Sequence, residues 1–347
     1  MTARVRKSSH VVLWVPAYFC NAVLTLIRCP RVSLNFYPIH GDLSPDWDWI
    51  EKRANQLHEP QVFLLVHYFG FPGPTREAET FCDRHGIVLI EDAAHVLQPT
   101  EHVGHSAFSL FSPHKLLALP QVGILVVSPQ WIEGYEDRVG GAEWRRTLAW
   151  AGRGLAKQLL VQLHLPWYRG SGERLLTPTP PCGRLQASGA LSPIRQNNPL
   201  TLRLLAKAEQ DLQQQPCKVT ERRRGNYLSL VSRIAGIGGV RPLLPSLPST
   251  VCPMFLPVFI ERGCTELVLR LWGRGITAAP WWDVPPEVAA DPATYHVACA
   301  FYQRVLWLPV HQDLTARHID LISEAVVAAA SDGAAITPSS LSHGRTH

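Results

Sequence analysis

At 347 residues the chain can form one large domain or two, and 46% hydrophobic with 18% charged residues describes a globular protein, not a disordered one. The net charge of +5 contains no long Lys/Arg block, which excludes nucleic acid as a partner and suits a mildly acidic ligand. The eight cysteines are scattered without a C-x-x-C pair. Neither a metal site nor a disulfide framework is expected, and reduced thiols point to the cytoplasm.

In chain order, Arg4, Arg6 and Lys7 precede a largely apolar run from Val11 to Ile27, a pattern shared by signal sequences and short membrane anchors. Pro16 and Asn21 interrupt that run. A membrane role is therefore not expected, and the run reads as a buried strand, Val11 to Val15, followed by a helix to Ile27. A second strand follows at Val32 to Phe36. Asp46 opens a helix with Trp47, Ile50, Ala54 and Leu57 at helical spacing. Gln61 to Val66 reads as a strand, Gly70 to Pro74 as a turn, Glu77 to His85 as a helix, and Ile87 to Ile90 as a central strand buried on both faces. Alternating strands and helices predict a mostly parallel sheet covered on both sides.

Further on, Ala142 to Leu165 has helical periodicity and Trp167 to Gly183 reads as loop. Helices are predicted over Leu200 to Gln215 and Lys218 to Arg233. They lead into a second unit with a strand at Val258 to Ile260, a helix at Thr265 to Arg274, and a strand running into Trp281-Trp282. A strand at Val305 to Leu308 and a helix from Thr315 to Ala330 follow, with Thr315 as N-cap. The expected division is a large domain over 1–215, a small α+β domain over 216–332 and a disordered tail over 333–347.

The chemistry concentrates between Ile87 and Val127. The central strand ends in Glu91 and Asp92, at the carboxyl edge where ligands bind in open α/β sheets. About twenty residues on comes Ser112-Pro113-His114-Lys115. A strand-end carboxylate followed by Ser-x-x-Lys is what a pyridoxal 5'-phosphate site needs. Lys115 would form the Schiff base, Asp92 would pair with the ring nitrogen, and the Ser112 hydroxyl would donate to the phosphate. Ser109 is the fallback for the phosphate contact. Glu91 is read as structural.

These residues also carry a family resemblance. IEDAAH, SLFSPHK and the turn into ILVV, with VPAYFCNAV and VHYFGFPGP upstream and RRRGNY, RGITAAPWW and VLWLPVHQDLTARHIDLISEAV downstream, resemble the DegT/DnrJ/StrS-type sugar aminotransferases. The resemblance implies the fold-type-I architecture and pyridoxal phosphate. It implies amination of a nucleotide-linked keto sugar for polysaccharide, surface-glycan or secondary-metabolite biosynthesis. An amino-acid donor such as glutamate and a homodimer with sites shared between subunits follow from it too. His95 stands at a cofactor-contacting position of the family. Tyr18, Phe19 and Cys20 lie where the family places an aromatic against the ring, and Trp281-Trp282-Asp283 lies near the sugar site. Leu110 holds the place of the family's usual phosphate-binding serine.

The resemblance begins in mid-domain. The family's N-terminal helix and its glycine-hydroxyl phosphate loop find no counterpart in residues 1–10, so a truncated domain is expected. A catalytically impaired homologue with a binding or regulatory role is the alternative that this departure supports.

Overall fold

The computed structural model describes residues 10–57, 59–120, 122–132, 139–140, 147–148, 150–152, 194–195, 198–214, 217–281 and 283–335. The readings of a loop at Trp167 to Gly183, of most of the helix at Ala142 to Leu165, and of the tail beyond 335 lie outside those residues.

The first half alternates as the periodicity implies. β1 (Val11–Pro16), α1 (Asn21–Ile27), β2 (Val32–Tyr37), α2 (Trp47–Ala54), β3 (Gln61–Val66), α3 (Thr75–His85) and β4 (Val88–Ala93) lead to β5 (Phe108–Phe111) and β6 (Ile124–Val127). They form one six-stranded sheet of order β2-β1-β3-β4-β5-β6, parallel except for the β5–β6 pair. β3 is buried at all six positions because helices must cover both faces of a parallel sheet. Asp46 caps α2, its side chain accepting from the Trp49 N–H. Gly86 ends α3 in the left-handed conformation.

α4 (Pro199–Gln214) and α5 (Cys217–Ile234) lead to a second, antiparallel sheet made of β7 (Val240–Pro242), β8 (Phe255–Ile260) and β9 (Val305–Pro309), in the order β9-β8-β7. α6 (Cys264–Gly273), α7 (His296–Arg304) and α8 (Ala316–Ala335) complete it. The segment before Trp281 makes only an isolated bridge, Ala279 with Trp307, instead of the expected strand. α8 runs on to Ala335, past its predicted end at Ala330.

Each sheet has its own core. One gathers Trp14, Phe63, Phe81 and their neighbours under the parallel sheet; the other gathers Tyr227, Val258, Leu271 and Ile322. The run at Val11 to Ile27 is resolved as β1 and α1. β1 is an interior strand of the sheet, and no helix among the described residues is long and apolar enough to cross a membrane.

Three contacts join the halves beside the end of β4. Met254 N–H donates to the Phe69 carbonyl (2.8 Å), and Tyr295 donates to the Phe36 carbonyl (3.2 Å). Tyr302 holds the 17–19 loop by accepting from Phe19 N–H (2.8 Å) and lying within bonding distance of the Phe19 carbonyl (2.6 Å).

Candidate active site

The pleat of β4 decides what each of its two acids does. Successive side chains on a strand point to opposite faces, so Glu91 and Asp92 part company. Glu91 is fully buried and accepts from Gly104 N–H (2.9 Å), His105 N–H (3.1 Å), Ser106 N–H (2.8 Å), the Ser109 hydroxyl (3.2 Å) and His67 Nε2 (2.9 Å). His67 Nδ1 accepts from Gly73 N–H (2.8 Å), which leaves Nε2 as the donor to Glu91. Burial raises the Glu91 pKa, but His67, Ser106 and the backbone donors outweigh it and bring it to about 2. Glu91 is a knot tying β4 to the 104–106 loop and the 73 turn, as its structural reading requires.

Asp92 faces the other way and is short of donors. Its carboxylate accepts from Ala94 N–H (3.0 Å) and makes no other hydrogen bond among the described residues. Desolvation raises its pKa, while the Ala94 N–H and the positive charge of Lys115 act against this. A carboxylate so placed is poised for a cationic N–H partner.

Lys115 lies in the single 3₁₀ turn Pro113–Lys115 that follows β5. It is open to solvent on its accessible surface, yet protein crowds its ammonium enough that desolvation lowers its pKa against the opposing pull of Asp92 and Cys20. Its Nζ makes no hydrogen bond or ion pair among the described residues.

His95 is buried between the rings of Phe69, Trp281 and Trp307, with centroids at 6.1, 6.3 and 6.4 Å. Its Nδ1 accepts from Phe69 N–H (3.2 Å), so Nε2 carries the proton, and that N–H has no partner among the described residues. Desolvation, reinforced by the charge of Lys115, takes its pKa down to about 3. Asp92, His95 and Lys115 are thus brought within electrostatic reach of one another.

The serines are separated by the same alternation. β5 pairs with β4 so that Asp92 sits opposite Leu110, and Leu110 opposite Leu125 on β6. Leu110 shares the face of Asp92 and is 43% exposed, while Ser109 is buried on the other face, bonded to Glu91. Ser109 therefore fails as a fallback for the phosphate contact. Ser112 is half-buried, and its hydroxyl makes no hydrogen bond among the described residues.

Of the three residues left open at the ring-facing position, Tyr18 and Phe19 are buried. Tyr18 packs on Tyr68 (5.9 Å), Trp281 (4.8 Å) and Tyr302 (5.0 Å). Half-buried Cys20, at the start of α1, is the one of the three that keeps some exposure. Trp281 closes a wall above His95 together with Trp307, 4.7 Å away; Trp282 lies outside the described residues. Asn198, the residue before α4, caps that helix by accepting from Thr201 N–H (2.9 Å) and donates to the Thr147 hydroxyl (2.6 Å).

The side chains left with spare capacity match the polar edge of a pyridoxal ring. Asp92 suits the ring nitrogen, the His95 Nε2–H the phenolic oxygen, Lys115 the carbonyl carbon, and Ser112 one phosphate oxygen. His67 and the Phe69 backbone were not singled out by sequence reasoning. Only the HYFG run hinted at them.

Comparison with known proteins bears on one segment and on the fold. Residues 41–132 match the DegT/DnrJ/EryC1/StrS aminotransferase family. The fold is shared with DesV of S. venezuelae, solved in complex with a ketimine intermediate. The TM-score there is 0.65 at 18% identity, covering 95% of this chain and 81% of that one. It is shared likewise with the aminotransferase TlmJ of Streptoalloteichus hindustanus (TM-score 0.62, 19% identity, 93% and 80% covered). Helicobacter pylori PseC, an aminotransferase of pseudoaminic acid biosynthesis, gives a TM-score of 0.60 at 17% identity, with 94% and 81% covered. Residues 41–132 thus match the DegT/DnrJ/EryC1/StrS aminotransferase family, and the fold built around them is the fold-type-I architecture shared with these solved aminotransferases.

Proposed function

We propose that this chain is a pyridoxal-phosphate-dependent aminotransferase. It moves an amino group from an amino-acid donor such as glutamate to the keto group of a sugar, and the sugar is nucleotide-linked. It works as a homodimer in the cytoplasm and serves the making of a polysaccharide, surface glycan or secondary metabolite. The observation that carries the reading is the convergence of Asp92, His95 and Lys115 at the carboxyl ends of β4 and β5, each with an unused donor, acceptor or amine.

When bound, pyridoxal phosphate supplies the carbonyl carbon and the electron sink that amine exchange requires. The chain's own groups do the rest. Desolvation leaves a larger share of Lys115 as neutral, nucleophilic amine than a solvated lysine would have. Lys115 anchors the cofactor, and its Nζ then carries a proton between the two half-reactions. Asp92 keeps the ring nitrogen protonated. The pairing also removes the cost of a buried carboxylate without a cation. His95 donates from Nε2 and, being neutral, adds no competing positive charge. Ser112 donates to the phosphate. The half-buried face of Trp281 suits a sugar ring, which aromatic side chains receive on their apolar faces.

Borohydride reduction of the protein after addition of pyridoxal phosphate, followed by peptide mapping, is expected to place the phosphopyridoxyl group on Lys115. A label on another lysine, with Lys115 unmodified, would overturn the reading.

A further inference from the structure

Arg223 on α5 is one of the largest fully buried side chains, with 2% of its surface exposed. Among the described residues its guanidinium forms no ion pair at bonding distance; its hydrogen bonds go to neutral acceptors, and Asp313 acts on it only as a more distant charge. Nε donates to Gln312 Oε1 (2.8 Å), Nη1 to the Pro253 and Met254 carbonyls (3.3 and 3.2 Å), and Nη2 to the Leu116 carbonyl (3.2 Å). Gln312 Nε2 donates to that same Leu116 carbonyl (3.3 Å). A buried charge without a counter-ion is a poor way to stabilise a fold, since an apolar side chain of similar volume would fill the space without desolvation cost. What the planar fork provides is direction, because its five N–H groups leave at fixed angles.

Two bonded routes lead from this fork to the site. Leu116 is the residue after Lys115, and its side chain is locked in a small cluster with Leu97, Cys252 and Met254. On the other side of Lys115, His114 is tied through Nδ1 to the Val122 carbonyl (2.8 Å). Lys115 thus stands on a one-turn element whose two neighbours are held, while its own amine is left free. The second route runs through Met254, whose N–H bonds the Phe69 carbonyl, and Phe69 N–H in turn bonds His95 Nδ1.

We propose that Arg223, with Gln312, is a positioning residue for Lys115: the two donors on the Leu116 carbonyl set the direction in which the lysine leaves its turn. Arg223 thereby ties the second sheet to the site. It touches neither substrate nor cofactor. The inference rests on Lys115 being the reactive amine.

The test uses the full chain and the variants Gln312→Ala, Arg223→Lys and Arg223→Met. Without cofactor, the pH midpoint for reductive methylation of Lys115 by formaldehyde and cyanoborohydride is read by mass mapping, alongside the urea midpoint. The rate of borohydride-trapped pyridoxal phosphate at Lys115 is read separately. Gln312→Ala and Arg223→Lys both keep the charges, and both are expected to move the Lys115 midpoint up towards the other lysines. Trapping should slow by about tenfold, as when one directed hydrogen bond is lost. Unchanged Lys115 midpoints and trapping in those two variants would overturn the proposal. So would a change confined to Arg223→Met, which would mean that charge and not direction matters, or a loss of urea stability with Lys115 unaltered. If wild-type Lys115 traps no pyridoxal phosphate, the functional reading falls, while the methylation midpoints still decide the role of Arg223.

Discussion

Burial acts in opposite senses on the acids and bases at the end of β4. It disfavours charge, so it raises Asp92 and lowers Lys115 and His95. Glu91, one residue from Asp92, escapes only because five donors surround it. The pH dependence of stability follows from these shifts. His95 drops from an ordinary value of 6.5 to about 3 in the folded chain, so between those values the unfolded chain binds more protons and stability falls with acid. Glu91 moves from 4.5 to about 2, so its contribution is complete above 4.5 and is lost as pH falls towards 2. From pH 6.5 down to about 4.5 the expected loss tied to His95 is about 2–3 kcal/mol. Urea unfolding across that range should show it, and His95→Gln should flatten the slope. An equally steep slope in the variant would show that His95 is not its source.

The turn Tyr68–Gly70 after β3 is where one element meets the other sheet. Phe69 has φ of 59°, in the left-handed region that costs a non-glycine residue roughly 1–2 kcal/mol. It stays there because both its backbone groups are bonded, N–H to His95 and carbonyl to Met254, and because its ring packs edge-on against Trp307 (5.4 Å). Gly70, at φ of 93°, approaches the Cys252 carbonyl so closely that an added Cβ would lie 2.4 Å from its oxygen. Gly70→Ala is therefore expected to cost about 2–4 kcal/mol in denaturant unfolding. A cost below about 1 kcal/mol would mean that the 252–254 segment can draw back freely.

For the whole molecule, the halves are joined by packing as well as by hydrogen bonds: Phe301, Tyr302, Val305 and Trp307 belong to the core of the parallel sheet, and Tyr302, Tyr295 and Met254 bond across. On the outer side, Leu110 and Leu125 are directly paired across strands on the Asp92 face, yet they remain 43% and 40% exposed. Apolar pairs left open beside a functional cleft are suited to cover by a second subunit. Light scattering is expected to give about twice the chain mass at micromolar concentration. A monomer at every concentration with full turnover would refute the dimer.

Much of the parallel sheet was legible because its strands are short apolar runs between turn residues. Gln61 to Val66, buried throughout, is the clearest case. The strand-end acids and the Ser-x-x-Lys spacing were legible too, since local chemistry sets them. β5, only four residues long, and α7, whose HVACAFYQR has a weak amphipathic pattern, fell below what periodicity can separate. That Ser109 faces away from Asp92 depended on strand register. The partners that hold Lys115 in place lie 107 and 196 residues from the Leu116 carbonyl they share. The amino-acid sequence determined the pattern of buried runs and the reactive residue types, because these rest on interactions between near neighbours. Tertiary structure alone decided which way Asp92, Ser112 and Lys115 point, because direction comes from pairing and packing between segments far apart in the chain.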